Sequence, residues 1–148
     1  MRLEEQIQQD IKAAMLAKER VKLESFRAIK AEILLAKTSD GSDKIADEAV
    51  IKIIQKLVKQ RKETAQIYKE QNRAELAENE LAEAACMEVF LPKQLSEAEI
   101  TEEIKKILVQ VGASKPSDMG KVMGVASKQL AGKADGRAIS AIVKELLK

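Results

Sequence analysis

The 148-residue sequence contains no histidine and a single cysteine, Cys86. Without histidine there can be no Ser-His or Cys-His nucleophile pair and no mixed Cys/His zinc site. A single cysteine excludes intramolecular disulfides and multi-thiolate metal sites, and it suits a reducing compartment. We therefore expect no metal and no cofactor, and we predict a cytoplasmic location.

Aromatic residues and long apolar runs are also scarce. Three aromatic side chains, Phe26, Tyr68 and Phe90, are too few for the stacking platforms that bind single-stranded nucleic acid. No stretch approaches the roughly 20 apolar residues that cross a bilayer. The first ten residues, MRLEEQIQQD, lack the basic and apolar regions of a secretory signal. We expect no membrane partner.

Period-two alternation is missing, and helix-forming residues dominate the chain. Apolar residues recur at helical spacing from the first segment onward, where they are Ile7, Ile11, Ala14 and Met15. A second stripe follows, made of Phe26, Ile29, Ile33 and Leu34. No glycine or proline separates the two stripes, so the sequence leaves open whether they form one helix or two. Residues 38–43 are predicted to form a loop.

The chain changes character near Pro92, which ends a Glu- and Ala-rich segment with Leu81, Ala84, Ala85 and Phe90 as expected inward residues. Ser96 and Glu99 then have the spacing of a capping box. Residues 1–94 carry 17 basic and 17 acidic groups, whereas residues 112–148 carry seven basic and three acidic groups, a net charge of +4. We predict an all-α fold with an N-terminal four-helix, antiparallel hairpin-like unit (1–92) and a small C-terminal three-helix domain (96–148).

The segment around residues 118–130 carries the most information. On a helix, Lys121, Val125 and Lys128 fall on one side, and Gly120 and Gly124 form a small-residue groove. Two interior glycines cost roughly 1 kcal/mol each relative to alanine. That cost favours close packing of another helix against the groove, or close approach of a ligand backbone, and the two explanations are compatible.

The following turn, residues 131–137, joins two predicted helices. Gly132 suits a C-cap, and Asp135 can accept hydrogen bonds from free N–H groups of the last helix. Lys133 and Arg137 flank this turn, and with Lys121 and Lys128 they can form one basic surface beside a helix N-terminus. The competing explanation is an ordinary capped turn with solvated lysines.

Other charged or reactive residues have simpler explanations. Adjacent glutamates such as Glu102 and Glu103 point apart on a helix, and Cys86 lies in a pattern typical of a buried small residue. A basic run in the first half of the chain comprises Lys56, Lys59, Arg61 and Lys62. Its pattern is typical of a solvated helix face, and the alternative is an extension of an RNA-binding surface.

Three C-terminal segments, DMGKVMG (118–124), GKADGR (132–137) and IVKELL (142–147), resemble the tail signature of the GatB/YqeY family. Two upstream segments, VKQRKETAQIY (58–68) and LPKQLSEAEI (91–100), resemble its stand-alone YqeY-like members. In longer members this region is the tail of the B subunit of tRNA-dependent amidotransferase. That enzyme converts Glu-tRNA(Gln) or Asp-tRNA(Asn) to the amide, using glutamine and ATP. The resemblance implies that this tail contacts the tRNA elbow while the chemistry lies in other domains.

Carried over by position, the family signature falls on Gly120, Lys121, Gly124, Gly132, Lys133, Ala134, Asp135 and Gly136. We predict nucleic-acid contacts from the cations Lys115, Lys121, Lys128, Lys133 and Arg137, and close-approach or turn positions at Gly120, Gly124, Gly132, Asp135 and Gly136. The chain departs from the family pattern in two places. Ala46 stands where a Ser or Thr helix cap is common, and Arg137 replaces a common Lys, which changes hydrogen-bond geometry but keeps the charge.

The resulting hypothesis is a non-catalytic tRNA-binding module, or an accessory module of a tRNA amidotransferase or aminoacyl-tRNA synthetase. An alternative is a protein-interaction adaptor for such an enzyme. A third is a subunit of a glutamine-dependent carbon–nitrogen ligase, although the chain has no Ser-Ser-Lys arrangement and no phosphate-binding glycine loop. The expected partners are tRNA and the subunits of an aminoacyl-tRNA synthetase or an amidotransferase.

Overall fold

The structure, a computed structural model, describes residues Met1–Lys148 and contains no strand. Its seven α-helices are α1 (Leu3–Ala17), α2 (Arg20–Asp40), α3 (Asp47–Glu70), α4 (Ala74–Glu88), α5 (Glu97–Val111), α6 (Met119–Gln129) and α7 (Gly136–Leu146). One 3-10 turn, Pro116–Asp118, precedes α6. The all-α prediction is confirmed. The chain divides into two compact units, Met1–Leu91 with α1–α4 and Pro92–Lys148 with α5–α7.

A left-handed residue separates α1 from α2. Lys18 has a φ of 58°, and its N–H donates to Met15 O at 3.2 Å while that of Glu19 donates to Ala14 O at 3.0 Å. A lysine in this conformation is uncommon because its Cβ crowds the backbone. The two apolar stripes therefore form two helices. The sequence did not mark this break because glycine, the usual residue at such a cap, is absent.

The core of the first unit joins all four helices. Its largest fully buried side chains are Ile7, Ile29, Val50, Ile54 and Met87. The predicted stripes extend too far in places: Leu34 is 51 % exposed, Met15 is 48 % exposed, and Leu81 and Ala85 face solvent. Periodicity identifies a helix face, but the neighbouring helices cover only part of that face.

Two further details of the first unit differ from the sequence prediction. Helix α2 continues to Asp40, so the predicted loop at 38–43 begins only at Gly41. Two cations of the basic run pair with α4: Arg61 Nε lies 3.3 Å from Glu83 Oε2, and Lys62 Nζ lies 2.9 Å from Glu88 Oε1. These two ion pairs bridge α3 and α4.

Glu4, in the first turn of α1, is a largely buried acid. Its carboxylate pairs with Lys37 of α2 and lies 3.4 Å from Arg2 Nη1. The hydrogen bond from Lys37 is the main reason that the pKa of Glu4 lies below its ordinary value. Next to it, the Leu3 N–H donates to Asp47 Oδ1 at 3.0 Å. The start of α1 is thereby fixed to the end of α2 and the start of α3.

We expect Glu4→Gln to lower the free energy of unfolding by about 1–2 kcal/mol at neutral pH, because it leaves Lys37 without its counter-charge. A lowered folded pKa means that the carboxylate contributes its full stabilisation above its ordinary pKa of 4.5. This contribution is lost as the pH falls through the folded pKa. The difference between the wild type and the variant in urea unfolding should therefore shrink below that pH. Glu5→Gln, which changes an exposed pair, is the control, and a pH-independent difference for Glu4→Gln would contradict the prediction.

The second unit is a three-helix bundle with well-defined helix ends. Ser96 Oγ accepts from the Glu99 N–H at 3.2 Å, and Glu99 Oε1 accepts from the Ser96 N–H at 3.0 Å, as the capping-box spacing predicts. Gly112 ends α5 with a φ of 67°. The buried core is drawn from all three helices and includes Ile104, Ile107, Val122, Val143 and Leu147.

The segment that leads into α5 is fastened to the turn before α7. The Leu95 N–H donates to Lys133 O at 2.9 Å, and Gln94 Nε2 donates to Gly132 O at 2.6 Å. These bonds join the beginning of the second unit to its last third, so residues 92–96 are part of its structure.

We predict that the second unit folds independently of the first. It has its own core, and small domains of 55–65 residues can fold alone. A fragment of residues 92–148 should show a helical circular dichroism spectrum and a cooperative thermal transition. A spectrum without helical minima would show that this unit needs the rest of the chain.

Candidate functional site

The start of α6 is fixed by one carboxylate. Asp118 Oδ2 accepts hydrogen bonds from the backbone N–H groups of Ser114 at 3.0 Å and Lys115 at 3.2 Å. These bonds lower the pKa of Asp118 because they stabilise its charged form. The 3-10 turn that begins at Pro116 leads directly into α6.

Helix α6 has a buried side and an open side. Val122, Ala126 and Leu130 are buried in the core of the second unit, and Met119 and Met123 are half-buried against it. The opposite side forms an open groove of about 430 Å³. The groove is lined by Gly120, Lys121, Gly124, Val125, Lys128 and Gln129.

Lys121 and Lys128 are exposed residues on this groove, seven positions apart. That spacing is about 10 Å along the helix axis. Val125 lies between them and is half-buried, so the floor of the groove is apolar where the two cations flank it. Sequence reasoning missed Gln129, although its position one turn beyond Val125 places it on the same face.

The glycines of the groove have no packing partner. A Cβ added at Gly120 or Gly124 would meet no atom within 4 Å. Of the two explanations left open by the sequence, close packing of another helix is therefore not what the structure contains. The backbone of α6 is bare along this face and accessible from outside.

The turn before α7 has one of the two predicted caps. Asp135 caps α7 and accepts from the Arg137 N–H at 3.4 Å. The C-cap of α6 is Leu130, and Gly132 lies two residues beyond it in the turn, where it adopts a φ of 76°. Gly136 begins α7 without a positive φ, so no backbone strain requires glycine there. Lys115, Lys133 and Arg137 are exposed, but none of them lines the α6 groove. The structure brings Lys121 and Lys128 together at the groove, and a single basic surface of all five cations stays a prediction.

The structure contains no group of three or more His, Cys, Asp or Glu side chains arranged to hold a metal ion. None of its helices combines the length and apolar character that a membrane crossing needs. Cys86 is half-buried and packs against the core of the first unit.

The comparison with known proteins covers nearly the whole chain. A family model described as "Yqey-like protein" matches residues 4–147. Curated fungal relatives carry the name "Altered inheritance of mitochondria protein 41, mitochondrial". That of Pyrenophora tritici-repentis is 29 % identical over 144 residues, which is 95 % of this chain and 78 % of the relative. That of Kluyveromyces lactis is 30 % identical over 142 residues, 93 % of this chain and 72 % of the relative. For Meyerozyma guilliermondii the identity is 33 % over 122 residues, 80 % of this chain and 64 % of the relative.

These relatives correct the prediction about location. The sequence predicted a cytoplasmic location, but the relatives are named as mitochondrial proteins, so that prediction is wrong. The inference failed because a single cysteine shows only that the chain has no internal disulfide. That property does not distinguish one reducing compartment from another.

We expect Gly124→Ala to raise the free energy of unfolding by about 0.5–1 kcal/mol, because alanine is the better helix former and its Cβ meets open space. Urea unfolding of the full chain measures this change. Gly112→Ala is the matched control: with a φ of 67° at Gly112, an added Cβ is strained, and the variant should lose stability. A loss of stability in Gly124→Ala would show that the groove is packed.

Proposed function

The chain belongs to the YqeY-like family, and on that premise we propose that it is a non-catalytic module that binds folded tRNA through the open face of α6. The observation that carries the proposal is the groove itself. It combines two exposed lysines with bare helix backbone at Gly120 and Gly124. A sugar–phosphate backbone can approach such a surface closely while the ammonium groups neutralise its phosphates.

The chemistry of the groove favours contact with the nucleic-acid backbone. Lysine is a flexible point charge with no preferred base partner, and phosphate contacts position a protein without reading sequence. None of the groove-lining residues is aromatic, so a base that leaves its stack has no ring on which to lie. Structured RNA recognised by shape fits these properties better than a single strand does.

Electrostatics of the whole unit support the same ligand. Residues 112–148 carry a net charge of +4, and the lysines of the groove have no carboxylate among its lining residues. A patch of one sign attracts a polyanion and raises the rate of encounter. With so few cations, affinity should be modest and should fall steeply with salt.

The module would assist an enzyme that acts on tRNA, an amidotransferase or an aminoacyl-tRNA synthetase, and would leave the chemistry to that enzyme. Resemblance to the tail of the amidotransferase B subunit supports this role. Lys133, Arg137 and Lys115 would extend the footprint beyond the groove.

The test is a gel-shift titration of the full chain with folded tRNA at low salt. Lys121→Glu/Lys128→Glu should abolish retention, since both groove cations are reversed. Lys105→Glu/Lys106→Glu is the matched control: it makes the same change in net charge on α5 of the same unit and should weaken binding far less. The Lys121→Gln/Lys128→Gln variant is milder because it removes the two charges without reversing them. In this variant the magnitude of the slope of log affinity against log salt concentration should fall by about 2.

Equal retention of the groove variant and the wild type would overturn the proposal. Equal losses in the groove and control variants would show that net charge alone, and not the groove, drives binding. A partner protein that still co-purifies after nuclease treatment, and is lost in Gly124→Leu, would instead favour the adaptor role.

A further inference from the structure

The outer halves of α3 and α4 form a two-helix arm. The core of the first unit includes no residue between Val58 and Ala84, so this arm lies beyond the region where four helices meet. Buried Ala65 and Ala77 let its two helices approach each other closely. Two paired helices alone bury little apolar surface, and large apolar side chains remain outside: Ile67 is 51 % exposed and Leu76 is 44 % exposed.

Helix α2 covers one side of α4 only along its second half. Phe26 of α2 stacks edge-on against Phe90 with ring centroids 5.1 Å apart. Burial is the main reason that the pKa of Glu83 lies above its ordinary value, and the nearby charge of Glu24 on α2 raises it further. Helix α2 begins at Arg20, so no third helix packs beside the first half of α4. The space there is an open groove of about 460 Å³ between α3 and α4. Its lining residues are Gln60, Arg61, Glu63, Thr64, Ile67 and Glu80.

The lining of this groove carries two acids and one base. Glu63 and Glu80 line the groove, while its one cation, Arg61, is paired with Glu83. Leu76 is one turn from Glu80 on α4, so an apolar position adjoins the acidic lining at the tip of the arm.

We propose that this groove, bounded by α3 and α4, is a docking site for a basic amphipathic helix of a partner protein. The partner's helix lies where α2 would lie if its N-terminal end were extended toward the tip of the arm. There it completes a three-helix packing with α3 and α4. Its apolar side covers Ile67 and Leu76, and its lysines or arginines face Glu63 and Glu80. A second copy of the same surface is disfavoured because it would bring like charges together.

The test uses the full chain and a defined probe. The probe is a peptide of about 15 residues with leucine at helical spacing and lysine elsewhere, and its matched counterpart has glutamate in place of lysine. In NMR titrations of the labelled chain, the lysine peptide should shift amide signals of Gln60, Thr64, Ile67 and Glu80. The glutamate peptide should leave them unchanged.

Two variants remove the recognition features without touching the core. Glu63→Lys/Glu80→Lys should weaken peptide binding about tenfold, a result typical of reversed charges at an interface. Ile67→Gln should weaken peptide binding as well. The Ile67 side chain is exposed, so this substitution leaves the core intact, and circular dichroism checks that the variant is folded. The control, Glu75→Lys/Glu78→Lys, makes the same change in net charge at exposed positions on the outer side of α4 and should retain most of the affinity.

Three results would overturn the proposal. They are equal binding of the two peptides, equal losses in the groove and control variants, and signal changes outside α3 and α4. Self-association of the free chain that Ile67→Gln abolishes would assign the groove to a second copy and would also overturn it. None of these measurements depends on RNA, so failure here and failure of the tRNA proposal are separable.

Discussion

Burial of one side of α6 is the constraint on which the candidate site depends. Val122 and Ala126 have no exposed surface, and Leu130 has almost none. A helix that buries these three positions must turn Lys121, Gly124 and Lys128 outward, because its periodicity leaves no other arrangement. The core of the second unit therefore orients the groove. Substitutions in that core would act on the site by rotating or loosening α6, without touching a groove residue.

Cations of this chain have two different roles. In the first unit, Lys37 neutralises the buried Glu4, and Arg61 and Lys62 pair with glutamates of α4. In the second unit, Lys121 and Lys128 remain exposed on a groove whose lining contains no acid. Basic runs of similar appearance in the sequence thus have different roles, and only the three-dimensional positions of the acids distinguish them.

Features set by local chemistry could be predicted from the sequence. The capping box at Ser96 and Glu99 and the left-handed glycines at Gly112 and Gly132 follow from short-range rules, and the structure contains them. Features that depend on distant neighbours could not be predicted. The break at Lys18 has no local marker, and the exposure of Leu34 and Leu81 depends on where other helices end. The same is true of the open space above Gly124, since a pattern of small residues has the same appearance with or without a helix packed on it.

That open space changes the meaning of the two glycines in α6. Had another helix packed on them, its contacts would offset the conformational cost of glycine, and the pattern would need no further explanation. With nothing within 4 Å of an added Cβ, the fold gains no packing from their small size. The chain therefore has lower helix stability at a solvent-facing position flanked by two lysines. A surface that gives up stability while exposing backbone between two cations is better explained by a ligand that comes close to that backbone than by the needs of folding.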